Sequence, residues 1–392
     1  MIDYKKHAWA EIDLDAFKSN LDKIKTFTQG CKIIAVIKAD AYGHGAIKLG
    51  KYLNEFGVTS FAVSCVREAM ELRKSGIEGD ILILGYTDPE EIELLSDYNF
   101  AQTIYSLDYA NAISDKLKNS NKNVDIHIKL NTGMNRLGFN CCDQTPIEEI
   151  VSAITLPCLN FKGLFTHFAA ADRDGDPDSQ FTATQYTRFL KVKTELEAKG
   201  FKPELCHCCN SAGTLLSPNM HLNAVRTGII LYGLKPDSSL CLPIELSPVM
   251  SFKATISSIN QIGVNQGISY GLTFKTDKPI TTATVTVGYA DGYPRFLSGC
   301  GEVLINGKRC RILGRVCMDQ MVVDVTNVDN VSIGSEVVLI GRSGSEEITA
   351  DEIAKHGNTI NYEIVCGISK RVPRYYIKNG QTADCVDYLW GL

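Results

Sequence analysis

Lys38 closes a short apolar run, Ala35-Val36-Ile37, and is followed by Ala39-Asp40-Ala41-Tyr42-Gly43-His44-Gly45. An ammonium at the end of a buried strand is costly, and desolvation lowers its pKa. A neutral amine there is a nucleophile suited to a Schiff base with an aldehyde cofactor. A structural ion pair, or a lysine that snorkels to water, is the alternative reading of the same residue. A second cluster runs from Cys206 through Asn210-Ser211-Ala212-Gly213 into Thr214-Leu215-Leu216. A serine at a helix start followed by small residues offers backbone N–H groups to an anion, although it also serves as a plain N-cap. The next strand ends in Arg226-Thr227-Gly228-Ile229, where glycine permits close backbone approach. Lys38, Ser211 and Gly228 together describe an anchored phosphate beside an amine, which fits pyridoxal 5′-phosphate.

Such residues need a scaffold that brings three distant segments together. Up to about residue 235, short apolar runs (33–37, 60–63, 81–84, 124–130, 161–166) alternate with amphipathic stretches such as 89–95 and 185–199. Near-continuous apolar strands between helices imply a parallel sheet covered on both faces. About eight such units in this length predict a closed (β/α)8 TIM barrel, whose enzymes carry their chemistry at the C-terminal strand ends. Phosphate usually sits after strands seven and eight of such a barrel. Beyond residue 245 the rhythm becomes β: Asn306-Gly307-Lys308 between 303–305 and 309–312 is a hairpin signal, and 331–340 with Ile348 repeats the pattern. Residues 235–248, with Pro236, Pro243 and Pro248, read as a linker. The expected division is a barrel over 1–240 and a mostly-β domain over 241–392.

The chain has 392 residues, 44% hydrophobic and 22% charged, which suits two or three globular domains and excludes disorder, collagen and coiled coil. A net charge of −5 without a basic stripe argues against nucleic acid as a partner. The N-terminal Met1-Ile2-Asp3-Tyr4-Lys5-Lys6 lacks an apolar stretch, and no run is long enough to cross a bilayer, so a cytoplasmic protein is expected. In such a chain the 14 cysteines read as free buried thiols. Adjacent side chains in Cys206-His207-Cys208-Cys209 point to opposite faces of a strand, and neither another CxxC nor an HExxH completes a zinc site. No metal is expected.

The segment AVIKADAYGHG resembles the cofactor-lysine signature of the alanine racemase family, barrel-type pyridoxal-phosphate enzymes. The likeness continues in order through KLNTGMNRLGF (129–139), FTHFAAAD (165–172), HCCNSA (207–212), RTGIILYG (226–233), GISYG (267–271), VGYADGYPR (287–295), GRVCMDQ (314–320) and NYE (361–363). It implies that Lys38 carries the cofactor and acts as one base, while Tyr270 from the second subunit of a homodimer is the opposing base. Inversion needs proton removal on one face and delivery on the other, and both groups have ordinary pKa values of about 10 that their surroundings must depress. Arg226 resembles the arginine at the pyridine nitrogen, which can only donate and so weakens the cofactor as an electron sink. Tyr42, Ser211, Gly228, Ile229 and Tyr362 resemble the phosphate ligands, and Asn210 is a further position implied to bind the cofactor. His167 resembles the histidine on the ring face, and His207 the one that holds the arginine. Arg136 and the Met318 backbone resemble the groups at the phenolic oxygen and the substrate carboxylate. Asp172, Tyr289 and Arg295 resemble entryway residues, and Asp319 one near Tyr270. Singly, the two histidines, Tyr289 and Met318 also read as ordinary packing residues.

Two positions depart from the family. Lys129 resembles a lysine that is often carbamylated, but Asn131 stands where the family commonly has aspartate, so the modification stays open and an anion such as chloride is the alternative. Cys209 replaces a small residue and is expected to confer sensitivity to alkylation. The resemblance implies interconversion of L- and D-alanine, supplying D-alanine for peptidoglycan. A serine or broad-specificity racemase of the same fold is the rival; Tyr362 and the missing membrane segment favour alanine. A non-enzymatic pyridoxal-phosphate carrier would need no counterpart of Tyr270. A fold-related decarboxylase would show a Gly-Gly-Gly loop and an acidic partner for the ring nitrogen, and the sequence has neither.

Overall fold

The structure, a computed structural model, describes residues 7–173 and 179–391. Residues 1–6, whose lack of an apolar stretch entered the reading above, lie outside them. After β1 (Ala8–Asp13) and α1 (Leu14–Phe27) come eight parallel strands: β2 (Lys32–Val36), β3 (Ser60–Val63), β4 (Asp80–Ile83), β5 (Phe100–Ile104), β6 (Val124–Asn131), β7 (Leu159–Phe165), β8 (Leu205–His207) and β9 (Ala224–Thr227). Each pairs with the next as far as β8, and β9 returns to pair with β2. At the remaining seam the Arg226 N–H donates to the Cys209 carbonyl at 3.0 Å. The result is the nearly closed barrel that the alternation predicts.

Local chemistry sets these elements. Asp13 caps α1 by accepting from the Asp15 and Ala16 N–H groups, and Leu14, Phe17, Leu21 and Ile24 form its buried stripe. β3 and β9 are buried at every position, as strands flanked by helices must be. The sequence reading passes over β5 because Gln102 and Thr103 interrupt its apolar run. Both are buried, and Gln102 is satisfied by the Gly85 carbonyl (2.8 Å) and the Thr87 hydroxyl (2.7 Å).

The remainder forms a ten-stranded sheet around the long β10 (Met250–Ile262). β11 (Ile280–Val285) joins β10 to β14 (Met321–Asp324), while β12 (Glu302–Ile305), β13 (Lys308–Arg311) and β15 (Glu336–Ser343) extend the other edge. The turn between β12 and β13 is the two-residue Asn306-Gly307, with φ of +48° and +75°. β1, counted with residues 1–240 in the sequence reading, lies in this second sheet between β10 and β16 (Arg374–Lys378). It has no place in the barrel ladder, which closes from β9 onto β2 without it, and its backbone groups pair here instead. β17 (Gln381–Val386) closes the edge against β16. All 14 cysteines are free thiols, but only Cys141, Cys206, Cys208, Cys209 and Cys310 are buried. Among the described residues no group of ligands could hold a metal, and no helix is long and apolar enough to cross a membrane.

Candidate active site

The C-terminal end of β2 leads into a left-handed turn. Ala39, Asp40, Ala41 and Tyr42 all have φ between +51° and +54°, a conformation that costs a non-glycine residue roughly 1–2 kcal/mol. Hydrogen bonds hold it in place. The Ala39 N–H donates to Glu68 (2.7 Å), Asp40 accepts from the Ala46 N–H (2.8 Å) and from the Tyr388 hydroxyl, and His44 Nδ1 contacts the carbonyls of Ala41 and Tyr42. This turn carries Lys38 and Tyr42 into one cavity of about 310 Å³ with His167, Asp172, Asn210, Ser211, Arg226, Gly228 and Tyr362. Burial, reinforced by Arg136, pulls the Lys38 amine below the ordinary lysine range, against the opposing pull of Glu68. A shift in that direction favours the neutral amine, the form that can act as a nucleophile or base.

One end of the cavity suits an anion. The Gly228 N–H donates to Ser211 Oγ at 3.0 Å, and a Cβ at Gly228 would approach the Tyr42 hydroxyl to 2.7 Å. Burial pushes the Tyr42 and Tyr362 phenols up, so both stay protonated and can donate. Asn210 shapes the loop by capping Gly213 (3.0 Å) and donating to the Phe168 carbonyl (3.3 Å). Ile229 is fully buried in the next turn.

Arg226 is buried on the same face. It donates to the carbonyls of Thr166 (2.8 Å), His207 (3.0 Å) and Cys208 (3.0 Å), to His207 Nδ1 (2.6 Å) and to His167 Nδ1 (3.2 Å). Burial brings Arg226 down to about 10 and, with Arg226 itself, drives both imidazoles well below their ordinary value. The histidines are therefore neutral acceptors for a guanidinium that can only donate. Phe165 lies beneath, stacked on His207 at 4.7 Å and facing both Arg226 and Lys129 at 5.3 Å.

Lys129 is buried, and burial with Arg226 and Arg136 brings its amine down to about 7. Asn131 is committed elsewhere: its oxygen accepts from the N–H groups of Gly133 (3.2 Å) and Asn135 (2.9 Å). Arg136 itself is exposed.

The remaining expected residues form a separate group on the second domain. Tyr270 stands at the tip of a short hairpin, Gly267–Ile268 with Phe274–Lys275, and is 72% exposed. Its neighbour Ser269, at φ +63°, bonds the Arg315 carbonyl at 2.7 Å and touches Cys317. The Tyr289 and Ala290 N–H groups reach the Cys317 and Met318 carbonyls at 3.0 Å, which fixes Tyr289 and Met318 beside this loop. Arg371 pairs with Asp319 (2.6 Å) and with buried Asp291 (3.3 Å). Tyr289 and Met318 are exposed as well, and none of this group lines the Lys38 cavity.

Sequence reasoning missed Glu68, Asp40 and Cys366. Cys366 lines the cavity four residues after Tyr362 on the helix Asn361–Cys366, a spacing that could have revealed it. Glu68 and Asp40 act through contacts with no local signature.

Known proteins resemble this chain over nearly its whole length. The family model "Alanine racemase, N-terminal domain" matches residues 12–236, and "Alanine racemase, C-terminal domain" matches 249–376. The chain is 43% identical over 391 residues to the alanine racemase of Clostridium tetani, covering 99% of this chain and 100% of that one. The crystal structure of alanine racemase from Bacillus anthracis with bound L-Ala-P superposes with a TM-score of 0.92 at 37% identity, covering 100% of both chains. Histidine racemase from Leuconostoc mesenteroides subsp. sake superposes with a TM-score of 0.87 at 28% identity, over 96% of this chain and 99% of that one. The chain belongs to the alanine racemase family.

Proposed function

We propose that this chain is a pyridoxal-5′-phosphate-dependent racemase that interconverts L- and D-alanine as a homodimer in the cytoplasm. The observation that carries this reading is the cavity shared by the depressed Lys38 amine, the Gly228–Ser211–Tyr42 cradle and Arg226. The donor set fits the cofactor: two protonated phenols, a serine hydroxyl and a cradle that a Cβ at Gly228 would obstruct suit a phosphate, and the arginine suits a ring nitrogen that carries no proton. When bound, pyridoxal phosphate withdraws electron density from the substrate Cα and eases removal of its proton.

Lys38 takes or returns the Cα proton on one face. The phenol of Tyr270 from a second copy serves the other face, because in a single chain it stands on the surface and outside the cavity. Residues 1–240 supply most of the cofactor's pocket, and 241–392 add Tyr362 and Cys366 to it and present Tyr270 to the neighbouring site. Tyr270, Leu272, Tyr289 and Met318 make up an exposed apolar face of the kind that a second copy covers. Arg136 and the Met318 backbone hold the substrate carboxylate. Lys129, His207 and Asp319 support Arg136, Arg226 and Tyr270 respectively. D-Alanine produced in this way serves peptidoglycan synthesis.

The test is a parallel chiral assay. Protein loaded with pyridoxal phosphate receives L-alanine, L-serine or L-histidine, and each D-enantiomer is followed over time. Much faster D-alanine formation is expected. Comparable or faster D-serine or D-histidine would move the chain to a broad-specificity branch, and no D-product with cofactor bound would overturn racemisation.

A further inference from the structure

Behind Arg226 a line of hydrogen bonds continues through the barrel. His207 Nδ1 lies 2.6 Å from Arg226 Nη1, and His207 Nε2 lies 3.0 Å from His127 Nδ1. Both imidazoles are buried, and His127 lines a different cavity of about 330 Å³, framed by Lys32, Ser60, Asp80, Asp125, Lys162 and Glu204 near the N-terminal strand ends. The chain thus runs from the cofactor face to the floor of the barrel.

Its direction follows from donors and acceptors alone. Arginine can only donate, so the contact with Arg226 is favourable when His207 Nδ1 accepts and the His207 proton resides on Nε2. That N–H needs an acceptor in a buried setting, and His127 Nδ1 is the atom in reach, so the His127 proton resides on its own Nε2. With its Nδ1 committed, His127 leaves that second N–H to the floor cavity it lines. Burial brings His127 down to about 4, with Asp80 pulling up and Lys32 and Arg226 pulling down, which keeps the ring neutral as this arrangement requires.

The backbone is built around the contact. The β6–β7 register shifts between Ile126 and His127, an irregularity of the kind that re-aims a side chain. A Cβ at Gly163, opposite it on β7, would overlap the His127 ring.

We propose that His127 is a positioning residue for racemisation: by accepting from His207 Nε2–H, it fixes the His207 tautomer that offers Arg226 its acceptor, and so holds Arg226 toward the cofactor from the far side of the barrel. This rests on the assignment of Arg226 to the ring nitrogen. Without an acceptor at position 127, a proton on His207 Nε2 would be buried without a partner, and that cost drives part of the population to Nδ1, where the proton confronts the guanidinium donor to donor.

The test uses protein labelled with nitrogen-15 at histidine, observed with and without cofactor, together with equilibrium binding of free pyridoxal phosphate. The wild type should show His207 and His127 both as Nε2–H tautomers even without cofactor. His127→Leu should populate His207 Nδ1–H and weaken pyridoxal-phosphate binding about tenfold or more. His127→Gln, whose amide oxygen can accept from His207, should restore the tautomer and most of the affinity. A wild-type His207 carrying its proton on Nδ1, or a leucine variant with unchanged tautomer and affinity, overturns the proposal. If the leucine variant shifts the tautomer but not the affinity, His127 does not act through Arg226; Arg226→Gln then separates the causes. Weaker binding in that variant means that only the role of His127 fails, and unchanged binding means that the ring-nitrogen assignment fails with it.

Discussion

At the scale of single residues, the proposed site works because burial changes what ordinary side chains are. Lys38 and Lys129 are pulled toward neutrality, while Tyr42 and Tyr362 are pushed away from ionisation. Tyr270 differs, standing at the surface of its own chain. Replacing it with phenylalanine should lower alanine racemisation by about 10²–10⁴-fold, the usual weight of a positioned proton-transfer group, while leaving the visible absorbance of bound cofactor in place. Activity that survives the change would remove Tyr270 from the chemistry. Lys129 offers a thermodynamic test. Its amine loses a proton at about 7 in the folded chain but at the ordinary 10.5 when unfolded. Between those values the unfolded chain binds more protons, so this group makes stability rise with pH, by at most about 1.4 kcal/mol per unit. Lys129→Met should therefore be more stable than its parent below about pH 7, with the gain fading toward pH 10.5. Denaturant unfolding of cofactor-free protein in carbonate-free buffer would show it, and a pH-independent difference would refute it.

At the scale of elements, the site depends on segments that are expensive to form alone. Four consecutive left-handed residues after Lys38 are held by Glu68, Tyr388 and Ala46, which come from two helices and the C-terminal tail. The turn after β9 depends on an absent side chain. At Gly228 the space is already taken, because a Cβ there would come within 2.7 Å of the Tyr42 hydroxyl. Gly228→Ala should leave the fold intact yet weaken pyridoxal-phosphate binding at least about tenfold, or 1.4 kcal/mol, because the methyl displaces the Tyr42 hydroxyl. Circular dichroism with fluorescence titration separates the two effects; unaltered affinity would mean that the phosphate does not seat there.

At the scale of the whole molecule, the two groups of site residues lie apart within one chain. Lys38 faces the barrel cavity, and Tyr270 faces outward from the second domain. If a second copy completes each site, two dead variants should rescue one another. Mixed Lys38→Ala and Tyr270→Phe chains form hybrid dimers with one intact site of two, and random mixing makes about half of all dimers hybrid, so about one quarter of wild-type activity should return. No recovery after verified subunit exchange would show that both bases act within one chain.

The sequence by itself determined the barrel and the meeting of Lys38, Ser211 and Gly228. Apolar runs between amphipathic stretches are a local, periodic signal, and in a closed barrel the strands that precede these residues become neighbours whatever the loops contain. It could not determine that β1 joins the second sheet, that Gln102 sits inside a strand, or that Glu68 and Asp40 hold the Lys38 turn. Nor did it reveal that His127 continues the line from Arg226 to the barrel floor. Each of these depends on which remote donor meets which acceptor. That pairing carries no period along the chain, so only the folded arrangement of segments decides it.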